Sequence, residues 1–167
     1  MTTPSIVLRG KGDMNFDRLK EMVDNPPTPW IAMSGMYYET LEIRHVKIVV
    51  PVKGRHLNHV GTVYGGTMFM ILEVSGALLF FSAYGMDRFV PVLKKCEIEY
   101  LKPTSKDLVA DLRISEEEAR DNLAEIEKKG KGDWILNAKL ADSEGTEVAK
   151  ARITYFAIPA TRGLVKG

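Results

Sequence analysis

The chain has 167 residues, with 23 Lys and Arg against 22 Asp and Glu, a formal charge of +1. That length makes one domain with its own core the default, and so even a charge balance gives no electrostatic case for a general nucleic-acid binder. The single cysteine, Cys96, excludes an internal disulfide and fits a reducing compartment, while Ile6-Val7-Leu8 is too short for a signal-peptide core, so the cytoplasm is the expected location.

Residues 1–12, with Pro4 and the run Arg9-Gly-Lys-Gly12, read as a loose tail. From Asp13 to Asp24, Phe16, Leu19, Met22 and Val23 recur at helical spacing among charges, which predicts a short amphipathic helix. Asn25-Pro26-Pro27-Thr28-Pro29 ends it, since proline cannot continue a helix and restricts the residue before it. Trp30 to Met36 reads as a connector. The expected organisation is therefore a tail and short packing helix over 1–30, one main domain over 31–160, and a tail over 161–167.

Tyr37 to Val52 is rich in β-branched and aromatic residues and reads as one strand. Its apolar parity changes from Leu41 and Ile43 to Val46, Ile48 and Val50, which predicts a bulge or bend near Arg44. Beyond Asn58-His-Val-Gly61-Thr-Val-Tyr64-Gly65-Gly66 comes a run from Thr67 to Tyr84 in which nearly every residue is apolar. A helix that is apolar all round is buried in a core or in lipid. Glu73, Ser75 and Gly76 interrupt this one, and a membrane span takes about 20 predominantly apolar residues, so it reads as a core helix ending at Gly85.

Four strand-like runs follow. Phe89 to Leu101 puts Cys96, Ile98 and Tyr100 on one face and Lys95, Glu97 and Glu99 on the other. Lys106 to Ile114, Trp134 to Ala141 and Thr146 to Ile158 alternate likewise, and the small Ala149 and Ala151 suit close approach of a helix. Ser115 to Lys129 is a charged helix opened by Ser115-Glu-Glu-Glu118, similar to a capping box, and Asp142-Ser-Glu-Gly145 is a hairpin turn. One long apolar helix with about five largely antiparallel strands is an α+β arrangement.

The chemistry concentrates on the long helix. An ionised carboxylate buried without a partner costs several kcal/mol, so Glu73 must be paired, neutralised or put to use. Gly65 and Gly66 lie where that helix begins, and its first unpaired N–H groups and positive dipole end suit an oxygen becoming negative. Plain structural roles stand beside these: a hydrogen-bonded or edge-exposed Glu73, and glycines that merely ease a tight turn.

The run Asn58-x-x-Gly61-x-x-Tyr64-Gly65-Gly66, with an acid seven residues after Gly66, resembles the signature of hot-dog-fold acyl-CoA thioesterases. It is similar to the phenylacetyl-CoA and 4-hydroxybenzoyl-CoA branch, which has histidine where this chain has Tyr64, and the wording Gly61 to Gly66 is closer to the YiiD C-terminal-like branch. The resemblance covers residues 37–158 and implies an antiparallel sheet wrapped on one central helix, paired into homodimers or dimers of dimers with sites between protomers. It implies an acyl-CoA thioesterase with Glu73 as base or nucleophile, the Gly65 N–H as oxyanion donor and Asn58 positioning the reactants. Gly61, Tyr64, Gly66 and Met70 are then substrate contacts, with coenzyme A entering as part of the substrate and no cofactor or metal. A non-catalytic acyl-CoA or acyl-carrier binding module uses the same slot, whereas a dehydratase would need a histidine motif that the chain lacks.

Other motifs carry less. Asn58 and Tyr64 also have bland roles, as a turn former and a packing aromatic. His56 and His59 lack companions at metal-site spacing and read as surface or loop histidines. There is no Gly-x-Ser-x-Gly elbow and no complete phosphate-binding glycine motif. Lys128, Lys129 and Lys131 read as a solvated helix end, while Arg88, Lys94, Lys95 and Lys102 are equal candidates for the phosphates of coenzyme A. Met68, Met70, Phe80, Phe81 and the N-terminal helix are the candidates for lining an acyl pocket.

Overall fold

The computed structural model describes residues 16–160. The predicted tails at 1–12 and 161–167, and the first three residues of the predicted N-terminal helix, lie outside the described residues.

Helix α1 (Phe16–Asp24) turns its buried Leu19 towards the core. Helix α2 (Pro29–Ser34) follows where the sequence suggested a connector. Its proline stands in the first turn, where the missing N–H costs nothing, and Gly35 closes it in the left-handed region at φ 68°.

The segment expected as one bent strand is two, β1 (Tyr37–Glu42) and β2 (His45–Val50), paired antiparallel with Glu42 opposite His45. The parity change is thus a hairpin, turned at Ile43-Arg44 with Arg44 at φ 60°. Nothing in the sequence announces that turn, because left-handed backbone usually falls to Gly, Asn or Asp. The tertiary fold holds it instead: the Arg44 N–H donates to the Ser82 carbonyl at 3.4 Å, and the Ile114 N–H to the Arg44 carbonyl at 3.1 Å.

The remaining elements are α3 (Gly65–Tyr84), β3 (Phe89–Tyr100), β4 (Leu108–Arg113), α4 (Glu116–Lys129), β5 (Gly132–Asp142) and β6 (Glu147–Pro159). The six strands form one antiparallel sheet in the order β1-β2-β4-β5-β6-β3, one more strand than expected. The N-cap half of the box at α4 is made, with Ser115 Oγ accepting the Glu118 N–H at 3.1 Å.

Helix α3 is long and apolar enough to cross a membrane by length and composition alone. In this fold 12 of its residues are buried, enclosed by β2 to β6 with α1 and α4. The strand faces beneath it alternate as the sequence predicts: Trp134, Leu136, Ala138 and Leu140 on β5, and Ala149, Ala151, Ile153 and Tyr155 on β6, are all buried. Trp134 fills the middle, its ring 5.3 Å from Phe80 and 5.5 Å from Tyr155. A long helix wrapped by an antiparallel sheet is the hot-dog fold.

One helical position depends on glycine for space. A Cβ at Gly76 would lie 2.3 Å from the Tyr155 hydroxyl. That close approach lets the phenol reach the helix backbone, and Tyr155 donates to the Glu73 carbonyl at 2.5 Å.

Candidate active site

The tip of α3 is built by the loop before it. Asn58 organises that loop: its Oδ1 accepts the Val60 and Thr62 N–H groups at 3.0 and 3.2 Å, and its Nδ2 donates to Thr62 Oγ1 at 2.9 Å. Gly61 sits at φ 82°, a conformation that an L side chain strains. The Tyr64 N–H then donates to the His56 carbonyl at 2.8 Å, and the Tyr64 carbonyl takes the first helical bond from Thr67 at 2.9 Å. Among the described residues neither the Gly65 nor the Gly66 N–H has a partner. The helix therefore ends in two open amide donors at its positive pole.

Two tyrosines flank those donors. The Tyr64 ring crosses Gly66 so closely that a Cβ there would lie 2.3 Å from a ring carbon. Tyr100 on β3 donates its hydroxyl to the Gly65 carbonyl at 3.0 Å. Both rings are more than half exposed, with Tyr64 at 60% and Tyr100 at 51%. The sequence put Tyr100 on the correct strand face but gave no sign of its place at the helix tip, since that contact spans 35 residues.

The rest of the site follows one stripe of α3. Gly66, Met70, Glu73 and Ala77 recur at helical spacing and are half-buried, as are Gly65, Phe69, Ala83 and Tyr84, while the other 12 residues of the helix are buried. Met70 packs at the edge of the core between the glycine tip and the acid. Burial pushes the Glu73 carboxyl above its ordinary value of 4.5, with no compensating cation. Among the described residues that carboxyl has neither a hydrogen bond nor an ion pair. Its field reaches Cys96, whose thiol is raised first by burial and then by Glu73, and Tyr155, raised in the same order. Cys96 is thus a neutral, half-buried thiol on the apolar face.

Glu73 lines a cavity of about 270 Å³ between α3 and the N-terminal arm. Glu73, Val74, Ala77 and Leu78 supply one wall; Met22, Val23, Pro26, Pro27, Thr28, Ile31 and Met36 supply the other. Of the residues expected to line a pocket, Met68, Phe80 and Phe81 are instead buried in the core.

Of the two roles expected for His56, surface or loop, it has the second: it lies in the connection between β2 and α3 but is buried, at 3% exposed. Its Nδ1 accepts the Lys53 N–H at 2.9 Å, which leaves the proton of the neutral ring on Nε2, a buried nitrogen with no hydrogen-bond partner among the described residues. Burial first, then Arg55 and Lys53, lower its pKa. His56 thereby closes its own turn at Lys53, and its carbonyl takes the Tyr64 N–H beneath the glycine tip. Among the described residues no three His, Cys, Asp or Glu side chains converge as a metal site.

Of the candidate phosphate contacts, Arg88 is paired with Glu127, Lys94 with Asp133 at 2.8 Å and Lys95 with Glu97 at 3.1 Å. Lys102 has no ion-pair partner among the described residues. Lys94, Lys129 and Lys131 border a separate open hollow on the far side of β6, beside Asp133 and Phe156.

This fold defines a class, the hot-dog proteins. The chain belongs to the family described as a domain of unknown function, DUF4442, which it matches over residues 20–157. Comparison with curated proteins gives no match. Among solved structures the chain is similar to PA5026 from Pseudomonas aeruginosa, described as a protein of unknown function and probable thioesterase. The two are 26% identical with a TM-score of 0.79, over 89% of this chain and 99% of that one. A hypothetical thioesterase from Streptococcus pneumoniae with coenzyme A is 20% identical, with a TM-score of 0.58, over 75% of this chain and 90% of its own. The smu.793 protein from Streptococcus mutans, bound to acetyl-CoA, is 21% identical with a TM-score of 0.57 over the same shares. At those identities the last two share the fold.

Proposed function

We propose that the chain is an acyl-CoA thioesterase, releasing a carboxylic acid and free coenzyme A. The observation that carries this reading is the unpaired, desolvated carboxyl of Glu73 on the half-open stripe of a buried helix. Raising a carboxyl towards neutrality strengthens it as a base. Glu73 takes a proton from water as the oxygen attacks the thioester carbonyl, the C–S bond breaks, and the proton passes to the departing sulfur. Direct attack by the carboxylate is the other course open to it. The Gly65 N–H and the helix dipole receive the negative oxygen. Asn58 acts through the loop it organises, which holds the tip in place. Gly61, Gly66, Tyr64 and Met70 shape the path of the substrate, and coenzyme A is part of the substrate rather than a cofactor.

Helix geometry supports a two-chain site. Gly65 and Glu73 are eight residues apart, about 12 Å along the axis at ~1.5 Å per residue. A carbonyl under attack needs its nucleophile within about 3–3.5 Å and its oxyanion donors within about 3 Å. One chain's tip and its own acid are too far apart for that, so the Gly65 tip of a second copy serves Glu73. Strand β3 offers the means, as a long edge strand on which Val92, Leu93 and Tyr100 are exposed. Such an edge is a template for pairing. Lys94 and Lys95 in one half and Glu97 and Glu99 in the other make it self-complementary in an antiparallel pair.

Thiol release from a panel of CoA esters, beside light scattering, tests the reading. Cleavage by a dimeric or tetrameric species supports it. Saturable CoA-ester binding without thiol release from any ester sinks it in favour of a binding module.

A further inference from the structure

We infer that the cavity between the N-terminal arm and α3 takes the acyl group of the substrate, and that this group is an unbranched aliphatic chain of medium length rather than an aromatic ring. The inference rests on the thioesterase reading and adds to it the substrate class.

Position comes first. Glu73 is on the wall of the cavity, and Ala77, one helical turn further along the same stripe, is on that wall too. A carbonyl held at Glu73 therefore has its chain directed over Ala77, whose methyl leaves room, and into the space beneath the arm. Leu78 and Val74 continue that wall.

The chemistry of the lining selects the group. Thr28 and Glu73 are the polar lining residues, no lining residue is aromatic, and the arm contributes flexible or aliphatic side chains such as Met22, Ile31 and Met36. An aromatic acyl group would find no ring to stack on, and a ring hydroxyl would be buried with few partners. A polymethylene chain needs only apolar contact, and methionines adapt to it. Size sets the length. A cavity of about 270 Å³ has room for a chain of about eight carbons, at about 30 Å³ for each group of water size. The arm is a stiff cover over this space, because Pro26 and Pro27 fix its backbone between α1 and α2.

The test is thiol release by the full chain from acetyl-, octanoyl-, palmitoyl- and benzoyl-CoA. We expect kcat/KM for octanoyl-CoA to exceed that for benzoyl-CoA and for palmitoyl-CoA at least tenfold. Ala77→Leu, which fills the cavity, lowers the octanoyl-to-acetyl ratio at least tenfold. Ile31→Ala, on the arm and away from the sheet, shifts the optimum to longer chains and serves if the first variant does not fold. A preference for benzoyl-CoA, or a profile that neither variant alters, overturns the assignment. Should no ester be cleaved, the thioesterase reading fails and the cavity is judged by equilibrium binding. Octanoyl-CoA binding at least tenfold tighter than coenzyme A, with the difference lost in Ala77→Leu or Ile31→Ala, supports the acyl site. Equal affinities overturn it.

Discussion

The hydroxyl of Tyr155 donates to the main-chain carbonyl of Glu73 at 2.5 Å, across 82 residues of sequence. The sheet thus holds the helix at the residue proposed to activate the nucleophile. Tyr155→Phe keeps the ring among Trp134 and its neighbours and removes only that bond. A net hydrogen bond is worth about 1 kcal/mol, so the melting temperature should fall by about 2–4 °C. If the bond also orients Glu73, kcat should fall more than KM changes, which steady-state kinetics beside a thermal melt will show. Unaltered melting and kinetics would mean that the bond contributes nothing.

The same contact predicts a coupling. Gly76→Ala places a methyl 2.3 Å from the Tyr155 oxygen but 3.0 Å from the nearest ring carbon. Overpacking of this kind costs about 1–3 kcal/mol. Combined with Tyr155→Phe the loss should be smaller than the sum of the two single losses, because the closest clash is with the atom removed. Denaturant melts of the four proteins measure this, and strict additivity would contradict the geometry.

Stability should vary with pH through two groups of opposite sign. His56 has a lowered pKa, so below its ordinary 6.5 the unfolded chain takes up a proton that the folded chain refuses. Its contribution is complete above 6.5 and is lost as pH falls from there towards the folded value. Glu73 has a raised pKa, so above 4.5 the folded chain keeps a proton that the unfolded chain has released. Its contribution is complete below 4.5 and is lost as pH rises towards the folded value. Urea melts across this range should show His56→Gln losing the acid-side decline and Glu73→Gln more stable than the parent at neutral pH. The activity profile should rise with pH through the raised Glu73 pKa, since the base must be ionised.

If two copies complete each site, breaking the β3 edge should abolish both assembly and catalysis. Val92 is 47% exposed on that strand, and Val92→Asp puts an unpaired carboxylate into the seam between the two edges. Light scattering should give a monomer mass, and thiol release should fall at least tenfold while far-UV dichroism is retained. A fully active monomer would contradict the shared site.

Much of this was legible in the sequence, for identifiable reasons. The apolar run to Tyr84 and the alternation of Trp134, Leu136, Ala138 and Leu140 are periodicities, and periodicity reports which face is buried. Glu73 stood out because a carboxylate in such a run is costly. The Ile43-Arg44 turn was hidden because tertiary bonds, rather than a turn residue, hold Arg44 at positive φ. Helix α2 was hidden because its proline reads as a breaker, although the first turn tolerates it. Tyr100 on Gly65, Tyr155 on Glu73 and the arm across Ala77 are long-range contacts, and no local pattern encodes them.

Thiol release from octanoyl-CoA by the parent chain and by Glu73→Gln, at a pH above the raised Glu73 pKa and with both melting as folded proteins, is the most direct measurement. Loss of a positioned general base predicts a rate at least ~10²-fold lower in the variant. Equal turnover in the two proteins would contradict the role given to that carboxylate.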